Sequence, residues 1–271
     1  MRNQKRRTQI LEIIKEYPTL SNREIGKLLG IARTTVSYYL QKEGIHRDRI
    51  AQQKLNNTCR EKILEISDEA EQVILGSILG DGSIAKYYRP KNTKKLLNSY
   101  LTINHGIKQK EYIEYKREIL ERNNIKCHLF FTEGDKIKPH YIKGILVKEN
   151  GTYTLRTQRN VIFNKYRNIF YTDRKHISRY IYKLKALGLA IWYMDDGYYS
   201  NNAINLCTNS FSYKEVALLQ LILRHNFKIE TTIHKSNLGH PILYIRACSR
   251  QRFLDIVTPY ICKCLKYKIG T

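Results

Sequence analysis

Two stretches of this chain, far apart in sequence, follow one plan. Ile74-Leu75-Gly76-Ser77-Ile78-Leu79-Gly80-Asp81-Gly82 is an apolar run ending in an acid and a glycine, and Leu189-Ala190-Ile191-Trp192-Tyr193-Met194-Asp195-Asp196-Gly197 repeats it. Each reads as a hydrophobic helix halted at a carboxylate, with the glycine free to adopt the left-handed turn that ends it. A helix that is apolar around most of its circumference must be buried, yet each of these carries an aspartate to its tip. Burying an acid without a partner is costly, so Asp81 and Asp196 are expected to meet around a shared cation.

The 271 residues suffice for one large domain with a small companion, and 42% hydrophobic residues allow a sizeable core. Against 24 Asp and Glu stand 48 Lys and Arg, a formal net charge of +24. Such a field attracts nucleic acid or an anionic membrane surface. No apolar run reaches membrane-spanning length, so nucleic acid is the expected partner. Cys59, Cys127, Cys207, Cys248, Cys262 and Cys264 form no CxxC pair, and the histidines show no HxxxH spacing. The first residues lack the apolar stretch of a secretory signal. The expected location is intracellular, with DNA, in a bacterial or phage-infected cytoplasm or an organelle matrix.

Residues 8–43 predict three short helices. The first carries Ile10, Leu11, Ile13 and Ile14 and stops near Pro18. The second runs from Asn22 to Leu29, with Ser21 and Glu24 as a capping box, and ends at Gly30. The third runs from Ala32 or Arg33 to about Glu43 and ends at Gly44. Ile25, Leu29, Ile31, Val36 and Tyr39 fall at helical spacing for a core. This pattern resembles a DNA-binding helix-turn-helix, with Gly26 small where two helices cross. Arg33, Thr34, Ser37, Tyr38 and Gln41 would face a major groove. The alternative is a three-helix protein-interaction unit. Residues 1–45 are thus read as one domain and 46–66 as a basic linker, which either tracks a phosphate backbone or is a solvated spacer.

After Asp81, strands are expected at 83–88 and 98–104, a helix near 107–122, strands near 126–131 and 140–157, and a helix near 160–168. After Asp196 the expected order is strand 203–208, helix 212–225, strands 228–234 and 241–248, and helix 249–258. Tyr153-Thr154-Leu155-Arg156 echoes Leu243-Tyr244-Ile245-Arg246, each before a short helix. The unit therefore reads as a repeat of order two, with repeat one at about 67–170 and repeat two at about 180–271.

Two such nonamers, each followed by this pattern, resemble the single-chain LAGLIDADG homing endonucleases of the omega-intron branch. The resemblance covers roughly residues 67–269. Ala190 to Gly197, followed by Asn205-Leu206-Cys207-Thr208-Asn209-Ser210-Phe211-Ser212, is especially close to that branch. It implies an α+β class: a pseudo-twofold, duplicated αββαββα fold with antiparallel saddle sheets astride a DNA groove, beside the small all-α helix-turn-helix domain. It also implies that Asp81 and Asp196 are the catalytic, metal-holding acids, with the carbonyls of Gly80 and Asp195 as further ligands. The competing assignment makes Asp195 the ligand and leaves Asp196 a cap; motif register favours Asp196. Lys175 and Lys268 match the branch's basic residues, with phosphate contacts as the alternative role. One departure is that Gly76 and Gly80 are matched by Ile191 and Asp195, so close helix packing is expected to rest on one helix's small residues.

The expected cofactor is Mg²⁺ or Mn²⁺, since two aspartates offer hard oxygen ligands. Sequence reading is expected from strand residues of one parity: Tyr100, Thr102 and Asn104, opposite Leu101 and Ile103 in the core, and Lys228, Thr232 and His234 with Glu230. Arg156 and Arg246 are candidate guanine or phosphate readers. The expected function is a monomeric endonuclease that cuts both strands of a long asymmetric DNA target and promotes intron mobility. The alternative is a non-cleaving binder: a maturase on intron RNA, or a transcription regulator.

Overall fold

The computed structural model describes residues 2–16, 20, 22–45, 65–88, 96–134, 140–142, 145–147 and 150–270. The Ser21 cap, most of the 46–66 linker and most of the loops at 88–98 and 132–139 lie outside them. The chain separates into two compact units, Met1–Lys62 and Ile63–Thr271.

In the first unit α1 (Arg2–Glu16), α2 (Asn22–Leu29) and α3 (Arg33–Lys42) enclose a small core of Ile10, Ile25, Val36 and Leu40. Gly30 and Gly44 follow α2 and α3 at φ +61° and +65°, the left-handed turns that glycine permits. A Cβ on Gly26 would come 2.7 Å from the Ile31 carbonyl oxygen, so only glycine lets the turn fold back onto α2.

The second unit is duplicated. Repeat one runs α4 (Asp68–Leu79), β1 (Gly82–Tyr88), β2 (Leu96–Gly106), α5 (Lys110–Arg122), β3 (Cys127–Glu133), β4 (His140–Ile142), β5 (Ile145–Val147), β6 (Gly151–Thr157) and α6 (Val161–Phe170). Repeat two runs α7 (Ala186–Asp196), β7 (Gly197–Ser200), β8 (Ala203–Cys207), α8 (Tyr213–Phe227), β9 (Thr231–Lys235), β10 (Pro241–Ile245) and α9 (Ala247–Val257). The two main sheets have matching antiparallel orders, β1-β2-β6-β3 and β7-β8-β10-β9. Ser67 caps α4, its hydroxyl accepting from the Ala70 amide.

Several elements differ from the expectation. The single strand at 140–157 is three: among the described residues β4 and β5 pair with each other, and of the three only β6 joins the main sheet. Strand β7 was not anticipated, because Gly197 does not make the expected left-handed turn: at φ −87°, ψ 155° it carries the chain from Asp196 straight into the strand. The strand expected at 228–234 starts at Thr231, since Lys228 is the left-handed cap of α8 (φ 57°). The echo of 153–156 in 243–246 is offset by two residues. Ile103 pairs with Leu155 and Leu206 with Leu243, so Leu155 matches Leu243, Arg156 matches Tyr244, and Arg246 falls beyond the strand as the N-cap of α9.

Helices α4 and α7 pack side by side at the centre, buried along nearly their whole length. A Cβ on Gly76 would lie 2.5 Å from the Gly188 carbonyl oxygen and 2.8 Å from Ile191 Cβ; one on Gly188 would lie 2.6 Å from Gln72 Oε1. The expectation that one helix supplies all the small residues is therefore corrected: Gly188 contributes from α7, at a position outside the nonamer. The buried Gln72 amide stitches the pair, donating to the Lys183 carbonyl (3.0 Å) and accepting from the Lys185 amide (2.7 Å).

Gly76→Ala should force the two helix backbones apart and cost about 1–3 kcal/mol, the usual range for overpacking. A urea unfolding midpoint unchanged from wild type would contradict this packing account.

Candidate active site

The C-terminal ends of α4 and α7 deliver Asp81 and Asp196 to one place. The Asp81 carboxylate is 42% exposed, and Asp196 is half-buried. Burial raises the Asp81 carboxyl above its ordinary value, and the neighbouring Asp195 charge adds to the rise. Burial, then the Asp81 and Asp195 charges, push Asp196 up to about 7. Among the described residues no side chain donates a hydrogen bond to the Asp196 carboxylate.

Each helix end is met by one lysine. Lys175 Nζ donates to the carbonyls of Gly80 (3.0 Å) and Gly82 (3.4 Å), on either side of Asp81. Lys268 Nζ donates to the carbonyls of Met194 (2.5 Å) and Asp195 (3.3 Å), just before Asp196. The two lysines are thus equivalent under the internal dyad. A helix C-terminus carries roughly half a negative charge and attracts cations. Both ammonium groups are lowered by burial, against the opposing pull of the surrounding aspartates. Lys268 is anchored further by Tyr193, whose hydroxyl donates to its carbonyl at 2.5 Å.

Lys175 sits in a loop held by repeat two. Glu215 accepts from Arg174 (2.7 Å) and from the Ile177 amide (3.1 Å), gripping both flanks of Lys175. It also completes a capping box with Ser212 at the start of α8. Burial pushes the Glu215 carboxyl up, but these hydrogen bonds outweigh it and bring it to about 2. The Ser-x-x-Glu spacing was a readable signal for the capping box, though not for the grip on Lys175.

Asp195 occupies a different environment from Asp196. Its carboxylate is fully buried, with Oδ1 accepting from Lys116 Nζ (2.7 Å) and the Tyr112 hydroxyl (2.7 Å) and Oδ2 accepting from the Asp81 amide (3.2 Å). Burial and the Lys116 charge hold His105 down at about 3, so it is neutral. Its Nε2 lies 3.2 Å from Lys116 Nζ, a donor only, so Nε2 accepts and Nδ1 carries the proton toward Gln109 Oε1 (3.0 Å). Asp81, His105 and Asp195 bring ligand atoms within 4.8 Å of one another. Lys116 and Tyr112 already satisfy Asp195, however, so the group short of positive charge is the pair Asp81 and Asp196.

Strand registers place the other candidates. Ser83, Thr102, Arg156 and His128 form one row across the first sheet on the face away from the core, flanked by Tyr100 and Asn104. Arg156 is exposed and stands 4.7 Å over the Phe130 ring. The matching row in repeat two is Tyr198, Asn205, Tyr244 and Thr232, with His234 stacked on Tyr244 at 4.9 Å. Ser83, His128, Asn205 and Tyr244 were not singled out, though the same parity applied to the expected strands picks them; Tyr198 lies on the unanticipated β7, which that rule did not reach. Lys228 is not on this face: it caps α8 and donates to the His225 carbonyl. Arg246 likewise lies at a helix start rather than in a strand. In the first unit Arg33, Thr34, Tyr38 and Gln41 are exposed. Ser37 is half-buried and holds α3 to α2, accepting from Asn22 (3.0 Å) and donating to the Arg33 carbonyl (3.2 Å).

A model of the LAGLIDADG DNA endonuclease family matches residues 71–253, and one of winged helix-turn-helix DNA-binding segments matches residues 4–42. The chain is 31% identical over 212 residues to the cytochrome b mRNA maturase bI2 of Saccharomyces cerevisiae, covering 73% of this chain and 46% of that protein. It is 26% identical over 226 residues to the probable intron-encoded endonuclease 1 of Wickerhamomyces canadensis, covering 80% and 90%. Several curated relatives, that maturase among them, are about twice as long as the part this chain spans. Among solved structures, the homing endonuclease I-WcaI bound to its DNA recognition sequence matches with a TM-score of 0.58 at 25% identity, covering 75% of this chain and 87% of that one. The chain belongs to the LAGLIDADG DNA endonuclease family.

Proposed function

We propose that this chain is a site-specific homing endonuclease that hydrolyses both strands of a long, asymmetric DNA target with a divalent cation. One observation carries the reading: two sets, each an aspartate beside a helix-end lysine, meet across the internal dyad. The residues fit a hard cation, because Asp196 is a half-buried carboxylate with no side-chain donor among the described residues and with a second carboxylate charge beside it. Asp81 and Asp196 would hold Mg²⁺ or Mn²⁺, which supplies neutralising charge for the phosphoryl oxygens and polarises water. The Gly80 and Asp195 carbonyls are engaged by Lys175 and Lys268, which keeps both ammonium groups at the mouth of the site. From there Lys175 and Lys268 orient water or stabilise charge developing in the transition state, one at each scissile phosphate.

The two outward rows of side chains read and position the duplex. Their differing residues, Arg156 against Tyr244 and His128 against Thr232, suit half-sites of unlike sequence. The first unit adds affinity through Arg33, Thr34, Tyr38 and Gln41 as a helix-turn-helix, with 1–45 as its domain and 67–271 as the nuclease. Acting as a monomer, the chain would promote mobility of its intron. The likeness to a yeast mRNA maturase favours one second reading, binding of intron RNA without cleavage.

Incubation of the protein and Mg²⁺ with the uninterrupted insertion sequence tests this. The expected product is linear DNA, lost in Asp81→Asn and in Asp196→Asn while binding is kept. Retention of every candidate duplex uncut, with intron RNA bound tightly, would favour the maturase reading.

The raised Asp196 carboxyl sets a pH dependence. Its folded value of about 7 lies above the ordinary 3.8, so between these values the native state keeps a proton that the unfolded chain has lost. Without cation, stability from this group is therefore lost as pH rises from about 4 to about 7, and cation binding in that range releases the proton. Melting temperatures in chelator should fall across this window more steeply for wild type than for Asp196→Asn. Parallel curves would contradict the assignment.

A further inference from the structure

The two motif acids are equivalent by repeat but are held in place by different means. Asp196 is the last residue of α7, fixed by the helix's own backbone. Asp81 lies beyond the end of α4, which stops at Leu79, and Gly80 turns the chain away at φ −103°, ψ −129°. The Asp81 amide therefore has no place in the helical ladder, and it donates instead to Asp195 Oδ2. A Cβ on Gly80 would sit 2.4 Å from Asp195 Cβ, so the glycine is the space that the Asp195 side chain fills.

The other oxygen of Asp195 is held by Lys116 and Tyr112, both from α5 of the opposite repeat. Lys116 and Asp195 have wholly buried side chains. The arrangement has no counterpart across the dyad. Gly106, at the end of β2, is followed by α5 much as Cys207 at the end of β8 is followed by α8, and the strand registers match Asn104 to Cys207 and His105 to Thr208. Lys116 and Tyr112 then correspond to Leu219 and Glu215, while Asp195 corresponds to Gly80. Leu219 supplies no cation and Gly80 no carboxylate at the places of Lys116 and Asp195, and Glu215 is taken up by Arg174, Ile177 and Ser212.

We infer that Asp195, fixed by Lys116 and Tyr112, is a positioning residue that pins the main chain at Asp81 and so governs cleavage of one DNA strand more than the other. Asp195 does not touch the reacting atoms in this account. It acts across the dyad, so loss of the clasp loosens Asp81 and leaves Asp196 on its helix. The inference rests on the cleavage reading for its effect on DNA, but the pinning itself does not need it.

The test uses the full chain with Asp195→Ala and Lys116→Met combined, so that no buried charge is left alone. Tyr112→Phe serves as a milder variant that keeps the ion pair. In the metal-free protein, amide hydrogen exchange at Asp81 should rise about tenfold or more in the double variant while the Asp196 amide keeps its protection, because local opening is confined to the unpinned turn. On a target duplex labelled separately on each strand, with Mg²⁺, cutting of one strand should slow about tenfold more than the other, equivalent to a barrier change felt at one site. Tyr112→Phe should give a smaller bias toward the same strand. Equal slowing of both strands, or unchanged exchange at Asp81, overturns the inference. A wild-type protein that leaves the duplex intact while the exchange result holds would refute the cleavage reading and leave the clasp standing.

Discussion

Two helices can run through the middle of a domain with their backbones nearly in contact only where side chains are missing. Gly76 meets the Gly188 carbonyl, and Gly80 yields its volume to Asp195. Because α4 and α7 are buried on almost every side, their direction is set by this contact and by the sheets around them. Their C-terminal ends then converge, and with them two dipole ends and three aspartates. The charge concentrated there is the central physical fact of the molecule.

That charge is compensated unevenly. Lys116 and Tyr112 neutralise and satisfy Asp195 in the interior, whereas Lys175 and Lys268 bind main-chain carbonyls, and among the described residues the Asp81 and Asp196 carboxylates have no direct ammonium partner. The result is an acid held at about 7 next to another raised above its ordinary range. A half-buried carboxylate beside a second one is unfavourable unless something positive joins them. A fold that needed only stability would have no use for this arrangement, and a site that takes up a cation and a polyanion would.

Much of this was legible in the residues. Two apolar runs ending in Asp-Gly disclosed the duplication, because the same order of strands and helices follows each. Alternation along 100–104 correctly separated Leu101 and Ile103 from their polar neighbours. Other features were hidden for physical reasons. The two-residue offset between β6 and β10 preserves strand parity, so the false echo of Arg156 in Arg246 satisfied the pattern while placing Arg246 outside the sheet. Gly188 precedes the nonamer and carries no motif signal. Lys116 and Tyr112 lie among the charged residues of α5, where a lysine ordinarily reaches solvent. Only the three-dimensional register reveals that Lys116 faces an acid on the other repeat.

We propose that Asp81 and Asp196 together hold a shared divalent cation. Titration of the full chain with Mn²⁺, followed by the loss of the free-ion paramagnetic signal, measures this without DNA or cleavage. Wild type should bind Mn²⁺ at the site, and Asp81→Asn and Asp196→Asn should each weaken that binding strongly, while Asp68→Asn, remote on the exposed first turn of α4, should leave it unchanged. Undiminished binding in both of the first two variants would contradict the account.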